Sequence, residues 1–335
     1  MYDVVAIGEP VIDFVPLSDA AGNGELCYRA YPGGGAVNVL AEVCAMGGSG
    51  LLLGAVGQDL FGEFLTREIR ARGIETREIH ATGAKNTGIG FVHLAADGER
   101  DFLAYRDYEA PVGLWGPDGE EAVSACRIFH FTSVSLVGQE QRRDTLRAAA
   151  FARSKGKAVS FDVNYREAMW EDKKAARELF WSCIGIADIV KLSEQERDFL
   201  CGCEDNRACA ERIAGGRKKL VLISLGVKGS YFYCPDGDGM CSAYPVKARD
   251  TTGCGDAFVG TVLARLAAGL REEQNGAEIP GAVASTVCPS ASRMREIVEL
   301  ANAAGALCAT RYGSLSAMPN YGETVEFKRQ ERREI

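Results

Sequence analysis

"DTTGCGDAFVGTVLARL", residues 250–266, sets a glycine turn between two carboxylates. Gly253 and Gly255 flank Cys254, and Ala257, Phe258, Val259, Val262, Leu263 and Leu266 follow as an apolar helical run. Glycines let successive backbone N–H groups converge, and a helix N-terminus adds partial positive charge. Such a turn attracts phosphate, whereas Asp250 and Asp256 should repel it. Two readings of Asp256 stand: a helix cap, for which Asp is a favoured residue, or a carboxylate serving a partner other than the anion. The rest of the chain has to separate them.

On either side of this turn, strand and helix alternate. "DVVAIG", "GLLLGAVG", "AVSFDVN", "DIVKLS" and "KLVLISLG" read as short buried strands. "AVNVLAEVCAMG", "FGEFLTREIRARGI", "RDTLRAAAFARSKG", "KAARELFWSCIGIA" and "EQERDFLCG" have helical spacing. A helix opening at Asp256 follows a strand-like "AYPVKA", and a last helix, "MREIVELANAAGALCATRYG", follows a looser segment, 271–292. This order implies a parallel sheet covered on both faces, with ligands bound at the carboxyl ends of its strands. Two stretches break the rhythm. Residues 11–34 have strand-like ends, and residues 86–111 alternate around "ADGE", a hairpin signal. They predict a small antiparallel layer beside the main sheet, serving as a water-excluding lid or as a structural flap.

The chain has 335 residues, enough for one large α/β domain or two modest ones. A net charge of -8 with no basic cluster in the body argues against a nucleic-acid surface. The tail "FKRQERREI" mixes charges and reads as a solvated helix or frayed end. Twelve cysteines are scattered, and Cys201, Cys203 and Cys209 lack the paired spacing of a zinc site. No signal peptide precedes "YDVVAIG" and no apolar run is long enough to span a bilayer, so reduced thiols in a cytoplasm are expected. His93 and His130 sit in strand-like stretches and read as packed residues, and no Walker lysine loop is present.

Polar residues gather at the expected strand ends. Asp13 stands among Val11, Ile12, Phe14 and Val15, where a lone carboxylate needs partners: a salt bridge, a turn, or the hydroxyls of a sugar. "PGGGAVN" (32–38) puts three glycines before a helix, with Asn38 about one turn in. "SFDVNYR" (160–166) supplies Asp162, Asn164 and Arg166, and "KLSEQE" (191–196) and "SLGVKG" (224–229) follow two further strands.

These pieces together resemble the ribokinase-like, or PfkB, family of carbohydrate kinases. "PGGGAVNVLAEVCAMGG" resembles its N-terminal signature, and "DTTGCGDAFVGTVL" its C-terminal one, with Cys254 where alanine is commoner. "GQDLFG", "DVNYR", "KLSEQE", "SLGVKG" and "ANAAGALCATRYG" arrive in the family's order across nearly the whole chain. The resemblance implies one kinase domain over 1–335. Its fold would be a three-layer α/β/α sandwich with a mostly parallel central sheet and a small β-sheet lid from about 11–34 and 86–111. It implies transfer of the γ-phosphoryl group of ATP to a sugar hydroxymethyl group. Asp256 would be the general base, and the N–H groups of Gly253, Cys254 and Gly255 would stabilise the transferring group. Asp13, Gly34, Gly35 and Asn38 would bind the sugar. Glu196 would help place Mg²⁺ through water, and Asp250 with the Thr252 carbonyl would help hold a K⁺ ion. Lys191, Ser193, Ser224, Gly226, Gly229 and Asn302 would line the nucleotide site. Two departures are Ser193, where the wider family often has Asn, and Val163, where proline is usual.

"GEPVIDFVP" (8–16), "FHFTSVSLV" and "ADIVKLSEQE" resemble fructokinase-like members of the family. Arg106 in "DFLAYRDYEAP" matches an arginine that such kinases aim at substrate, and the glycine loop lacks a lysine for a phosphorylated sugar. Fructose is therefore the expected substrate. 2-Keto-3-deoxygluconate comes second, because Arg106 and Arg166 could bind its carboxylate, and ribose or a nucleoside third. A non-catalytic sugar-binding homologue is the alternative of another class. Dimerisation through the lid strands is implied by analogy with related kinases.

Overall fold

The computed structural model describes residues 1–17, 27–94, 100–105, 113–276 and 288–331. The chain opens with β1 (Tyr2–Ile7), β2 (Val11–Pro16), β3 (Tyr28–Gly33), α1 (Gly35–Ala45), β4 (Gly50–Gly57) and α2 (Leu60–Ala71). It continues through β5 (Ile74–Glu75), β6 (Ile79–Thr82), β7 (Gly88–Leu94), β8 (Arg100–Tyr105), α3 (Pro117–Ser124), β9 (Cys126–Thr132) and α4 (Gln139–Ser154). Then come β10 (Ala158–Asp162), α5 (Lys173–Ile186), β11 (Ile189–Ser193), α6 (Glu194–Cys201), α7 (Asn206–Ala214), β12 (Leu220–Ser224), β13 (Ser230–Cys234) and β14 (Gly237–Cys241). Three helices close it: α8 (Cys254–Gly276), α9 (Ala291–Ala309) and α10 (Tyr321–Glu331).

The central sheet runs β14-β13-β12-β11-β10-β9-β1-β4-β5, with β6 also paired to β4. Its strands are parallel except for the antiparallel β12-β13-β14 edge. Period-two alternation sorts each strand's side chains to two faces. Val4, Ala6, Ile128, Ile189 and Leu222 meet α1, α8 and α9 in one buried cluster. Val5, Ile7, Phe129, Phe161, Val190 and Val221 meet α3, α4, α5, α6 and α7 in the other. This is the expected α/β/α sandwich of ribokinase-like type. In the second cluster Phe131 stacks on Phe161 at 4.9 Å, and Phe161 also packs against Phe180 at 6.2 Å.

A second sheet of four strands, β3-β2-β7-β8, comes from the two stretches that broke the rhythm. The expectation of an antiparallel layer needs correcting: β2 and β7 pair in parallel, because they meet only after the chain has returned through the main sheet. Asp59 ties the layers together. It caps α2 through the Gly62 N–H at 2.8 Å and accepts from the Thr87 N–H at 2.8 Å just before β7.

Other expectations need correcting. "AYPVKA" forms no strand. Pro245 has no N–H for a ladder, and Tyr244 packs on Phe327 of α10 instead. The α8 helix opens at Cys254, two residues before Asp256, so Asp256 lies inside its first turn and is not its N-cap. Residues 271–276 belong to α8 and α9 begins at Ala291, so the loose segment 271–292 is shorter than expected; residues 277–287 lie outside the described ones. Among the described residues, no helix is long and apolar enough to cross a membrane.

Phe161→Ala removes the ring that joins Phe131 to Phe180 in a sealed layer. It should cost about 3–5 kcal/mol, read as a lowered urea midpoint with an unchanged slope.

Candidate active site

The parallel strands point their carboxyl ends at the turn before α8. Asp250, 2% exposed, organises that turn. Its Oδ1 accepts from the Thr252 N–H at 2.8 Å, and its Oδ2 from the Gly313 N–H at 3.2 Å. Gly253 has φ +82, and a Cβ there would stand 3.1 Å from Ser314 Cβ and 3.2 Å from Met318 Cε. Only glycine makes that turn without strain or clash. The Cys254 N–H donates to the Thr251 carbonyl at 3.3 Å, closing the turn. The next N–H groups, from Gly255 on, belong to the first turn of α8, whose donors have no intrahelical acceptor.

Asp256 stands over them. Its Oδ2 accepts a hydrogen bond from Asn38 Nδ2 of α1 at 2.8 Å. Burial pushes the Asp256 carboxyl above the usual range, against the Asn38 bond and the charges of Lys191 and Arg166. Lys191 ends its side chain 3.1 Å from where a Gly255 Cβ would lie, so glycine is what lets the ammonium reach the turn. The same Nζ is 3.1 Å from Asp162. Both are buried. Burial alone would favour the neutral amine, but Asp162, Glu196 and Asp256 outweigh it and raise the Lys191 pKa. Asp162 is pushed up to about 7 by burial, with Lys191 opposing.

Glu196, 6% exposed, closes a capping box with Ser193. Its Oε2 accepts from the Ser193 N–H and its Oε1 from the Tyr165 N–H, both at 2.6 Å. One carboxylate thus ties the loop after β10 to the start of α6 and keeps lone pairs for a hard cation. Ser224 ends β12 in register with Ser193 and Ser230. Gly226 and Gly229 both have positive φ, and a Gly229 Cβ would collide with the Cys241 carbonyl oxygen at 2.1 Å. Asn302 is a brace at this end. Its Oδ1 accepts from Ser230 at 2.8 Å, and its Nδ2 donates to the carbonyls of Cys241 and Ser242 at 3.1 and 3.0 Å.

At the other end, Asp13 lies on the face of the second sheet between two glycines. A Cβ on Gly33 would stand 2.5 Å from its Oδ2, and one on Gly90 3.3 Å from its Oδ1. Gly34 has φ +119 and presses on the Glu9 carbonyl. Asn38 keeps its Oδ1 buried without a partner among the described residues. Arg166 is exposed on the loop after β10, and Arg106 lies outside the described residues.

Two residues at the site had no role in the sequence reading, which named Asn164 at a strand end and did not name Ser314. Asn164 is the one non-glycine residue with positive φ among those described, at +37. Its Nδ2 would stand 2.8 Å from a Cβ on Gly35, so its amide lies against the first turn of α1. "DVNYR" had marked its position without marking its conformation. Ser314 sits between Gly33 and Gly253, linking the glycine loop before α1 to the turn before α8, and no motif pointed to it.

Lys191→Met should destabilise the fold by about 3–5 kcal/mol, because it leaves Asp162 buried without its cation. Urea unfolding should show a smaller loss at acid pH, where Asp162 takes up a proton, and partial recovery in Lys191→Met/Asp162→Asn.

The pattern of the pfkB family carbohydrate kinases matches residues 1–320. Fructokinase-1 of Oryza sativa subsp. japonica is 33% identical over 326 residues, covering 96% of each chain. The crystal structure of a fructokinase from Xylella fastidiosa with bound ATP aligns with a TM-score of 0.83 at 27% identity, over 99% of this chain and 100% of that one. A fructokinase double mutant from Vibrio cholerae O395, solved with fructose, ADP and potassium ion bound, aligns with a TM-score of 0.76 at 26% identity over 97% of both chains. With a family match over almost its entire length and relatives of this similarity, the chain belongs to the pfkB family of carbohydrate kinases.

Proposed function

We propose that this sugar kinase is a fructokinase, transferring the γ-phosphoryl group of ATP to the terminal hydroxymethyl of fructose to give fructose 6-phosphate and ADP. The observation that carries the reading is the placement of Asp256: a carboxylate with a raised pKa, in the first turn of α8, held by Asn38 and facing Lys191. Asp256 would take the hydroxyl proton as the oxygen attacks. The amides of Gly253, Cys254 and Gly255 and the Lys191 ammonium would neutralise charge on the transferring group, which phosphoryl transfer needs more than covalent help. The fructokinase relatives support fructose as the acceptor.

Asp13 and Asn38 would bind sugar hydroxyls, with Gly34 and Gly35 allowing close approach and Asn164 beside them. Arg166 and Arg106 would face the charged end of the substrates. Ser193, Ser224, Gly226 and Gly229 would line the nucleotide, and Asn302 would hold that wall in shape. The oxygen donors fit hard cations: Glu196 would hold Mg²⁺ through water, and Asp250 with the Thr252 carbonyl would hold K⁺. Bound there, Mg²⁺ would neutralise phosphate charge and K⁺ would stiffen the turn.

We treat 1–335 as one kinase domain with the second sheet as its lid. The lid's face opposite Asp13 carries Phe14 stacked on Phe91 at 5.1 Å, Tyr105 and Leu103, the last two each 57% exposed. A second copy of the chain would cover that aromatic face. Twelve free thiols accord with work in the cytoplasm.

An ADP-release assay with fructose, 2-keto-3-deoxygluconate, ribose and adenosine tests the substrate. Fructose should have the highest kcat/KM, and a preference above about tenfold for the keto acid, some 1.4 kcal/mol, would reverse the assignment. Asp256→Asn should lower kcat by roughly 10²–10⁴. Because a base must be ionised and burial raises this one, wild-type kcat/KM should fall with acid at a midpoint above about 3.9, the ordinary Asp value. Asp13→Ala should raise the KM for sugar roughly 10–150-fold with little change for ATP. An equal loss for both substrates would make Asp13 a residue of the fold.

A further inference from the structure

The α1 and α8 helices touch almost backbone to backbone. A Cβ on Gly260 would lie 2.6 Å from Glu42 Cβ and 2.8 Å from the Val39 carbonyl oxygen. At the mouth of this seam Asn38 holds Asp256. One turn deeper on the same face of α1 is Glu42, 0% exposed. Thr261 of α8 donates to its Oε1 at 2.7 Å, and its Oε2 has no partner among the described residues. The other side chains of α1 buried here include Val37, Val39, Leu40 and Val43.

An ionised carboxylate in such a seam needs a cation. Among the described residues, the groups acting on it are the Thr261 hydroxyl from α8, the Cys308 thiol from α9, Arg311 from the turn after α9 and Glu323 from α10. Arg311, whose charge acts on Glu42, bonds Glu323 at 3.0 Å. Burial accordingly pushes Glu42 up to about 8, with the Thr261 bond and Arg311 opposing. At neutral pH it is the neutral acid.

We propose that Glu42 is a positioning residue: with Thr261 it clamps α1 to α8 below the Asn38–Asp256 bond, and a charge placed there loosens the seam and misplaces Asp256. The inference rests on the reading of Asp256 as the base. Misplacement on the scale of an ångström costs up to about a hundredfold in rate. The linkage has a definite sign. The native chain keeps a proton that the unfolded chain gives up near an ordinary Glu value of about 4.3. Stability from this group is therefore full below that value, falls as pH rises, and is lost above about 8.

The experiment measures Tm and kcat from about pH 6 to about pH 9 for wild type, Glu42→Gln and Glu42→Leu. Wild type should lose kcat reversibly above about pH 8 while still folded, with the KM for ATP unchanged. Glu42→Gln, neutral at every pH and able to pair with Thr261, should extend the plateau by about one pH unit or more and flatten the fall of Tm with pH. Glu42→Leu should lower kcat roughly tenfold or more at all pH values. Superimposed wild-type and Glu42→Gln rate profiles would overturn the proposal, as would a Glu42→Leu protein with full kcat, which would mean that any apolar filler suffices. Should Glu42→Gln fail to fold, a flat wild-type kcat up to about pH 9 decides against it. Failure of the base assignment is distinguishable: an active Asp256→Asn would remove that reading, while the Tm slopes would still report the titration of Glu42.

Discussion

The hydrogen bond from Asn38 to Asp256 joins residues 218 positions apart, and the geometry of the site hangs on it. Asn38 rides on α1, which follows the glycine loop 33–35, and Asp256 rides on α8, which follows the glycine turn at Gly253. Their meeting requires that the two helices pack side by side on one face of the sheet, and Gly260 is the residue that lets them come close enough. The same bond settles an electrostatic conflict. A carboxylate near an anion site is unfavourable unless its charge is turned to another partner, and an amide donor plus the Lys191 ammonium does that.

Much of the architecture was legible because parallel strands buried on both faces write continuous apolar runs, and amphipathic helices between them write a 3.6-residue period. The "GCGD" turn was legible because only glycine tolerates φ +82 against Ser314 and Met318. What escaped reading was non-local. The hairpin of β13 and β14 has glycine-rich strand sequence on its second arm, "GDGMC", with no alternation to detect. "AYPVKA" has strand-like composition but contains a proline, forms no strand, and packs Tyr244 on Phe327 of α10. The parallel pairing of β2 with β7 depends on a return through the main sheet, which no local pattern records.

The site was legible in the same uneven way. Asp13 stood out because a carboxylate in an apolar setting needs a partner, Asn38 and Asp256 because they follow glycine turns, and Glu196 through the family resemblance. Asn164 was legible only as a strand-end polar residue and Ser314 not at all, because their importance lies in backbone angle and in adjacency across distant loops. Glu42 reads as an ordinary polar residue of an amphipathic helix, and only the approach of α8 shows that its face is covered.

The two acids that flank the glycine turn can now be separated by what they touch. Asp250 accepts from the backbone of Thr252 and of Gly313, one on each side, so its charge tightens the turn and couples it to the segment after α9. Asp256 lies past the turn, inside α8, and bonds sideways to another helix. The glycine turn and the first amides of α8 lie between them. Of the two carboxylates, Asp250 is held by the backbone around the turn and Asp256 by Asn38. On the proposed reading, a charge that would repel phosphate if it pointed at the amides would instead border the space where an acceptor hydroxyl enters.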